Sequence, residues 1–432
     1  MKLSRHYGRA FSSLAALVAV LFSGGVARAQ NRAYQTIHEF QGGSDGSFPS
    51  GVPAVAKNGE LYGVTENGGT YNSGTIFKLI PPQTSGGAWA KSVTYEFPGG
   101  KGEEGPQSVI FGADGNLYGV NGGETIYELK APDNDGGVWK YSALHTLNQG
   151  SGGGPIQGNL AFDSEGNLYG ATELGGDLGA CHGDGCGTVF ELKRPTKSGG
   201  KWRFSLLYTF TGGTDGAEPF AGVTLDQKGN VYGTTDGGGI YDFGTAYRFS
   251  PPVRKGHAWT ETVLYSFDRS ANIGSMPGGP VIFDGAGNMY GTTVFGGDLN
   301  CSGGFGCGVV FELSPPAQDG QTWTYATLYA FQGGDDGSTP TGYMVFDQKG
   351  NLYSTTQTGG GGNGGYAGIA FRLSPPAQRG DAWTETVLHR FQPPGGVAPN
   401  DGLTFGRWGD LYGVTWYGGH CQECGTVFEV RP

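Results

Sequence analysis

Residues 223–267 read VTLDQKGNVYGTTDGGGIYDFGTAYRFSPPVRKGHAWTETVLYSF, and the rest of the chain repeats this segment with variations. Four short runs rich in Val, Thr, Tyr and Phe are separated by turn residues, and none has helical periodicity. Runs of this kind, bounded by Gly, Asn and Pro, predict one four-stranded antiparallel sheet. Because a single sheet of this size cannot bury both of its faces, the repetition must supply its packing partners.

Three short signatures each occur seven times along the chain. The first is [LVM]-Tyr-[Gly/Ser], which recurs at intervals of about 58 residues, as tandem structural repeats do. The second is a strand from Trp or Tyr to Phe or Leu, and the third is Gly-Thr-[Val/Ile]-Phe-[Glu/Lys]-Leu or a variant. Seven units of four strands predict an all-β fold, a seven-bladed β-propeller of four-stranded antiparallel blades.

The two ends of the chain indicate how the ring closes. Residues 34–40 form a strand of the second kind without a blade of its own, and residues 427–430 form a third strand without a fourth. If the N-terminal strand completes the last blade, no sheet edge stays open to other chains. An open solenoid would need polar capping repeats, which the sequence lacks. We therefore predict a single closed propeller domain over residues 30–432.

Residues 1–29 have the features of an export signal peptide. A basic start (residues 2–9), a mostly apolar run (residues 10–22) and the small-residue motif Ala-Arg-Ala (residues 27–29) match its three parts. No Cys follows the expected cleavage point, so we do not expect a lipoprotein. We expect a protein that is secreted or periplasmic.

The composition and net charge of the chain argue against some kinds of binding partner. The formal net charge is -11, and the predicted signal removes four basic residues and no acidic ones. An acidic surface without a basic stripe argues against nucleic acid and anionic membranes. After the signal no apolar run approaches the roughly 18 residues of a membrane-spanning helix, and we expect no tail anchor. With 86 Gly but 13% aromatic residues, the chain is typical of an ordered, turn-rich β protein, which we expect to be a monomer.

The repeat resembles a known family. Gly-Asn-Leu-Tyr-Gly-x-Thr, then Gly-Thr-Val-Phe-Glu-Leu, then Leu-Tyr-x-Phe-x-Gly-Gly-x-Asp-Gly is similar to the GloVer tandem repeat of exported bacterial proteins, and residues 166–171, 187–192 and 207–216 match it best. The pattern covers nearly all of residues 34–430, although residues 121–125 shorten one loop of the second copy. The resemblance implies export, repetition and sometimes a C-terminal anchoring segment, which we do not expect here. It implies no established reaction.

Antiparallel alternation divides the loops between two rims. If the run at residues 281–284 is an innermost strand, the Asp-x-x-Gly-Asn turns and the Pro-Pro loops share one rim, the turn rim. The Gly-Gly-x-Asp-Gly connections and the loops after Leu-Tyr-Gly-x-Thr share the other, the loop rim, and a ligand is expected at its central opening. We predict a structural role for the Asp-x-x-Gly-Asn turns. The Tyr of Leu-Tyr-Gly should pack between blades.

Carboxylates are concentrated in the Gly-Gly-x-Asp-Gly loops of the loop rim. Around an axial opening they could bind a ligand or hold a hard cation such as Ca²⁺, although the sequence has no Asp-x-Asp-x-Asp-Gly loop. The alternative is that Asp-Gly only forms a tight turn between blades. The candidates are Asp45, Asp215, Asp335 and Asp336, with Glu103 and Glu104 in the matching loop of the second blade.

Aromatic residues flank these carboxylates on the same rim. A ring beside a carboxylate is typical of a sugar site, which uses ring stacking together with hydrogen bonds. The alternative is that the rings only anchor their loops. The candidates are Tyr71, Tyr241, Phe295, Tyr366, Trp416 and Tyr417.

The six Cys form three local pairs, each inside one loop of the loop rim in blades three, five and seven. Propeller geometry separates the three loops, and export to an oxidising compartment favours disulfides. A zinc site is the rival, because His182 and His420 adjoin Cys, but each loop offers only two thiols and at most one His. We therefore predict no metal site and three disulfides, Cys181 with Cys186, Cys301 with Cys307, and Cys421 with Cys424.

No unique catalytic cluster distinguishes one blade from another. The His residues are scattered over several blades without a Ser/His/Asp spacing, and two rim carboxylates could act as general acid and base only at a suitable separation. We predict a non-catalytic exported module that binds a glycan or a protein at the loop rim without a cofactor. Two alternatives stay open: a carbohydrate-active lyase or hydrolase that uses the rim carboxylates, and a structural cell-surface protein without a small ligand.

Overall fold

The first strand of the described chain belongs to the last blade. In the computed structural model, Tyr34–Glu39 pairs antiparallel with Thr426–Val430, with Tyr34 opposite Val430 and Glu39 opposite Thr426. A strand from the start of the chain thus becomes the fourth strand of the seventh blade. This pairing confirms the predicted closure of the ring.

The structure describes residues 33–84, 87–99, 105–134, 136–148, 153–197, 199–254, 256–269, 273–318, 322–361, 367–378 and 380–432. The predicted signal at residues 1–29 lies outside these ranges, and so do Glu103, Glu104 and Tyr366.

Seven four-stranded antiparallel sheets form the propeller, as predicted, and strands one to four of each blade run in order from the axis outward. The strands of the first three blades are Ser47–Val55, Leu61–Asn67, Thr75–Ile80 and Ala90–Glu96; Pro106–Phe111, Leu117–Asn121, Thr125–Lys130 and Lys140–Thr146; and Ile156–Phe162, Leu168–Thr172, Thr188–Lys193 and Arg203–Thr209. Those of the next three are Thr224–Leu225, Val231–Thr235, Thr245–Ser250 and Thr260–Ser266; Ile282–Phe283, Met289–Thr293, Val309–Ser314 and Thr324–Ala330; and Val345–Phe346, Leu352–Thr356, Ile369–Ser374 and Thr384–Arg390. The seventh blade consists of Thr404–Phe405, Leu411–Thr415, Thr426–Val430 and Tyr34–Glu39.

Within the described ranges, helical structure consists of single turns. A small additional ladder pairs Gly274–Ser275 with Phe295–Gly296. In the described part of the chain, no helix is long and apolar enough to cross a membrane. The 3₁₀ turns are Gly43–Asp45, Cys181–Gly183, Ser302–Gly304 and Gly334–Asp336.

The second strand of each blade is buried almost throughout, since sheets cover both of its faces. All residues of Leu168–Thr172 are buried, for example. The Gly of the first signature is required by close packing, because a Cβ at Gly63 would lie 2.4 Å from the Phe77 ring. A small residue on the second strand therefore receives a large ring from the third, and the two strands interdigitate at the density of a protein interior.

The Asp-x-x-Gly-Asn turns have the structural role that their sequence predicts. The Asp226 carboxylate accepts hydrogen bonds from the Lys228 backbone N–H at 2.8 Å, the Asn230 backbone N–H at 2.9 Å and the Tyr232 hydroxyl at 3.1 Å. Gly229 has a φ of 78°, which favours glycine at this position. One Asp thus fixes the turn and the Tyr of the following strand together.

The Tyr of the first signature packs between blades, also as predicted. The Tyr62 ring lies 5.3 Å from the Phe111 ring and 5.7 Å from the Trp139 ring of the next blade. Rings at these separations interact favourably beyond the area that they bury. The Tyr, Phe and Trp of the signatures therefore help to hold the ring of blades together.

Candidate functional site: an axial cavity on the loop rim

The predicted rim acid Asp45 lies between two blades. Its carboxylate accepts a hydrogen bond from the Gln41 backbone N–H at 2.9 Å, contacts His38 Nε2 at 3.2 Å and pairs with Lys91 Nζ at 2.5 Å. Burial opposes ionisation of Asp45, but hydrogen bonds with His38 and Lys91 outweigh it and hold its pKa well below the usual range. Asp45 therefore ties the outer strand of the seventh blade to that of the first.

Asp215 has the equivalent position between blades three and four. Its carboxylate lies 3.1 Å from the Tyr208 hydroxyl and accepts the Thr211 backbone N–H at 2.8 Å. The same Tyr208 hydroxyl is 3.1 Å from the carboxylate of Glu261, on the outer strand of blade four. Burial, and also the charge of Asp215, raises the pKa of Glu261 to about 6. Glu261 thus occupies the position in blade four that Lys91 occupies in blade one, so a carboxylate replaces the cation.

Asp336 repeats this arrangement between blades five and six. It accepts hydrogen bonds from the Tyr329 hydroxyl at 2.5 Å and the Gln332 backbone N–H at 2.7 Å. Burial, and then the charge of Asp336, raises the pKa of Glu385 to about 8. The neighbouring candidate Asp335 is exposed on the same loop.

The three predicted disulfides are confirmed, and each packs under one of these acid loops. A Cβ at Gly212 would lie 2.6 Å from Cys181 Sγ, and one at Gly333 would lie 2.7 Å from Cys301 Sγ. Disulfide and acid loop therefore form one unit, at the interfaces of blades seven and one, three and four, and five and six, which we call the disulfide interfaces. The bonds join Cys181 to Cys186, Cys301 to Cys307, and Cys421 to Cys424.

The other four blade interfaces are filled by stacked rings, and we call them the aromatic interfaces. At each one, a ring on one outer strand stacks on a ring of the next outer strand. The pairs, with the separations of their ring centroids, are Tyr95 and Tyr141 (5.5 Å), His145 and Phe204 (4.3 Å), Tyr265 and Tyr325 (4.8 Å), and His389 and Tyr34 (3.5 Å).

The candidate rim aromatics divide between exposed loop tips and packed rings. Tyr71 and Tyr241 occupy equivalent tips and are 61% and 53% exposed. Tyr417 packs edge-on against Phe48 with ring centroids 5.8 Å apart, and Trp416 lies beside it. The structure thus brings Trp416 and Tyr417 together but leaves Tyr71 and Tyr241 on separate blades.

A cavity of about 580 Å³ lies on the propeller axis at the central opening of the loop rim. All seven blades contribute to it, because the first strands run beside the axis and loops after several second strands reach it. Of the predicted ligand-binding residues that the structure describes, Trp416 alone lines this cavity. The lining residues are Ser50, Gly51, Glu66, Gln107, Ser108, Gln157, Gly158, Asn159, Phe220, Ala221, Gly278, Pro280, Val294, Thr339, Thr341, Tyr343, Gln357, Asn400, Asp401 and Trp416.

Tyr343 of blade six forms the floor of the cavity. Its side chain reaches blade three, where the Asn159 backbone N–H donates to the Tyr343 hydroxyl at 2.6 Å. A second, mainly apolar pocket of about 320 Å³ is also lined by Tyr343 and Asn159. It includes Val52 and Met344, which directly follow cavity-lining residues in the sequence. Tyr343 therefore separates a polar cavity on the loop rim from an apolar recess toward the turn rim.

One equivalent position in the repeats supplies side chains to the cavity mouth. It directly follows the [LVM]-Tyr-[Gly/Ser]-x-Thr motif, where the chain leaves the second strand. Sequence reasoning selected only Trp416 at this position, although the variation of the position against an almost constant motif was a usable signal. Its occupants are Glu66, Glu173, Asp236, Val294, Gln357 and Trp416, whereas the second blade has Gly122.

Asp401 is the most unusual residue of the cavity, and sequence reasoning missed it as well. Five of the other six blades have Gly or Ala at its position, for example Gly51 and Ala221. Asp401 Oδ2 is buried and has no hydrogen-bond partner within the described residues. Burial, and then the charge of Glu66, raises the pKa of Asp401 to about 7, although the Gly51 backbone N–H opposes this shift with a hydrogen bond.

A second acidic group lies on the opposite side of the ring, in blades three and four. Burial, then the charges of Glu218 and Glu173, raises the pKa of Asp236 to about 6. Glu173 accepts a hydrogen bond at 2.8 Å from Gln157, which lines the cavity. Negative charge therefore approaches the axis from two sides.

The charged side chains of the described cavity wall are acidic. Among the described lining residues there is no Lys, Arg or His. The described residues also contain no cluster of three or more His, Cys, Asp or Glu that could hold a metal ion. The cavity is a polar, acidic recess whose remaining lining consists mainly of amides, hydroxyls and three aromatic side chains.

The family model described as the Gloeobacter/Verrucomicrobia repeat matches residues 20–198 and 121–305, so the chain belongs to this GloVer family, as the repeat motifs predict. No curated protein matches the chain.

Several solved structures are similar in fold at low identity. A carbohydrate-active enzyme of family AA12 from Trichoderma reesei is 11% identical, with 92% of this chain and 95% of that chain covered and a TM-score of 0.45. A protein of unknown function from Dyadobacter fermentans is 14% identical, with 92% and 100% covered and a TM-score of 0.41. A gluconolactonase from Xanthomonas campestris is 12% identical, with 74% and 85% covered and a TM-score of 0.38. At identities and TM-scores this low, no property of those proteins is transferred to this chain.

Proposed function

We propose that the protein is an exported, non-catalytic binding module that holds a glycan in the axial cavity of its loop rim. The observation that carries the proposal is the lining of the cavity. Side-chain amides, hydroxyls and carboxylates surround a space of about 580 Å³, and an indole lies at its mouth. That volume is in the range of small-molecule sites, roughly 300–1,000 Å³.

The amides match what a sugar requires. A sugar hydroxyl both donates and accepts hydrogen bonds, and an Asn or Gln side chain offers both functions in one group. Trp416 adds an aromatic surface to the cavity wall. Such a ring can cover an apolar sugar face. The amides of the lining are Gln107, Gln157, Asn159, Gln357 and Asn400.

The rim around the cavity extends the proposed site. The exposed rings of Tyr71 and Tyr241 could contact a glycan that is longer than the cavity. The acids Asp45, Asp215, Asp335 and Asp336 belong to the same rim, and Asp335 is the exposed one. Export after removal of residues 1–29, a secreted or periplasmic location, and action as a monomeric domain of residues 30–432 are parts of the same proposal.

Isothermal titration against a panel of oligosaccharides tests this function. Once a binding glycan is found, Trp416→Ala should weaken it about tenfold, since losing one stacked ring costs about 1.4 kcal/mol. Trp408→Ala is the matched control, because Trp408 belongs to the same blade, lies on the turn rim and is 73% exposed. Equal affinity of the two variants, at unchanged thermal stability, would place the glycan elsewhere.

A carbohydrate-active enzyme is the second candidate, and one observation favours it. Asp401, with its pKa raised to about 7 beside Glu66, has the protonation behaviour that a general acid needs near neutral pH. The same panel, assayed for released reducing or unsaturated ends, distinguishes the two candidates. Product formation that disappears in Asp401→Asn, but not in Asp335→Asn, would replace the binding module with an enzyme.

A further inference from the structure

We infer that the ligand of the axial cavity carries a protonated amine, as an amino sugar does. This inference rests on the proposed function, because it names the chemistry of the glycan held by the same site.

The first argument is the charge at the cavity wall. Some partly buried carboxylates of the periphery have cationic partners: Lys91 pairs with Asp45, and Arg431 Nε lies 3.2 Å from Asp410. At the axis, Asp401 faces Glu66 of blade one and the Tyr343 hydroxyl group, and no described cationic side chain lines the cavity. A bound ammonium group would supply the missing positive charge.

The second argument is the unsatisfied oxygen of Asp401. A buried carboxylate oxygen without a donor is costly, and such groups in native proteins call for an explanation. The cost is avoidable at this position, because five of the other six blades have Gly or Ala there. A ligand that donates a charge-assisted hydrogen bond to Oδ2 explains why an Asp is present.

An organic ammonium fits better than a metal ion or a neutral sugar. The described residues provide no cluster of three acidic, His or Cys ligands, which a bound metal would require. The cavity instead combines carboxylates with the rings of Trp416, Tyr343 and Phe220, and cations are attracted to aromatic faces. A neutral hydroxyl could donate to Asp401 but would leave its charge uncompensated.

Amine binding should be linked to proton release. A positive charge beside Asp401 favours its ionised form, so the ligand should displace a proton from this carboxyl group near neutral pH. With a pKa of about 7, Asp401 is about half ionised at pH 7 but only about 1% ionised at pH 5. Asp236, whose pKa is raised by burial and then by the charges of Glu218 and Glu173, lies in blade four and should add to the same trend. Affinity for the amine should therefore fall about tenfold or more from pH 7 to pH 5.

The test compares oligomers of β-1,4-linked glucosamine, N-acetylglucosamine and glucose, matched in length, by titration calorimetry with the full chain. We expect the glucosamine oligomer to bind at least about tenfold more tightly than the other two oligomers at pH 7. We also expect its binding to release protons, which is measured by repeating the titration in buffers of different ionisation enthalpy. Asp401→Asn should abolish both the preference and the proton release. Asp133→Asn, at an exposed acid on a loop of the turn rim, should leave both unchanged.

The outcomes separate this inference from the proposed function. Equal binding of all three oligomers would overturn the amine inference and keep a glycan site. No binding of any sugar would overturn both. An unchanged preference in Asp401→Asn, with thermal unfolding showing that the variant is folded, would contradict the role of Asp401. Ca²⁺ that binds alone and competes with the amine would mean that a metal ion occupies the acidic site instead.

Discussion

The seven blade interfaces are of two kinds, and each kind solves the same packing problem with different chemistry. At the disulfide interfaces, an acid loop such as that of Asp45 lies over a disulfide and bonds both outer strands. At the aromatic interfaces, two stacked rings such as Tyr265 and Tyr325 occupy the space between those strands. A single repeat thus tolerates either a polar or an apolar contact between blades.

The two kinds differ at one sequence position, two residues after the Trp that opens the outer strand. At the disulfide interfaces this residue is charged: Lys91, Glu261 or Glu385. At the aromatic interfaces it is a ring, as at Tyr141 and Phe204. A half-buried carboxylate in the loop needs a polar neighbour, whereas a loop without the acid leaves room for stacked rings. The loop and the strand position therefore vary together.

Lys91→Met should have the largest effect on this comparison. It leaves Asp45 partly buried without its cation, so we expect the free energy of unfolding at pH 7 to fall by about 2–3 kcal/mol. Denaturant unfolding measures the change. Lys193→Met is the control, because Lys193 is 52% exposed and lies 3.9 Å from Glu191. Its expected effect is below about 0.5 kcal/mol, and a comparable loss in both variants would refute the special role of Lys91.

Removal of a disulfide should have the next largest effect. Replacing both Cys181 and Cys186 with Ser opens a short closed loop, and constraint of the unfolded chain by such a loop is worth about 2 kcal/mol. We expect thermal unfolding at a lower temperature by a corresponding amount. A thiol reductant should lower the unfolding temperature of the wild type by more than that of this variant, because the variant no longer has the bond between residues 181 and 186 to lose. No change in the double variant would show that the acid loop holds the interface without its disulfide.

Glu385→Gln should give a smaller, pH-dependent gain. Burial and then Asp336 raise the pKa of Glu385 to about 8, above the value of about 4.3 in an unfolded chain. The folded state binds more protons between these values, so this group's contribution to stability is lost as the pH rises from about 4 to about 8. We expect the variant to be about 1 kcal/mol more stable than the wild type at pH 9 and equal to it at pH 4, in chemical denaturation.

His389→Phe, on the same strand, provides the control with the opposite sign. Burial lowers the pKa of His389 to about 4, so the unfolded state binds more protons between about pH 4 and pH 6.5, and stability is lost as the pH falls through that window. The Phe variant can keep the stack on Tyr34 and should gain stability only at acid pH. If both variants differed from the wild type in stability only at acid pH, or both only at alkaline pH, the distinction between polar and aromatic interfaces would be wrong.

Much of the fold could be predicted because its signals are local. The Asp226 turn, the close packing at Gly63 and the pairing of Cys421 with Cys424 each involve residues near one another in sequence. Closure of the ring was also predictable, since the strand missing at one end of the chain is present at the other. The candidate site was predicted less well, because the conspicuous Asp-Gly loops proved to connect blades, and Trp416 was the one candidate at the cavity wall.

The sequence by itself determined the number of repeats, the strands in each and the three disulfides, since every unit repeats the same short-range pattern. Only the tertiary structure decided which side chains meet at the axis. Tyr343 reaches Asn159 across 184 positions of sequence, and Asp401 approaches Glu66 only because the last blade closes on the first. Closing a ring brings together single positions from distant repeats, and no local pattern records which of their variations face the same cavity.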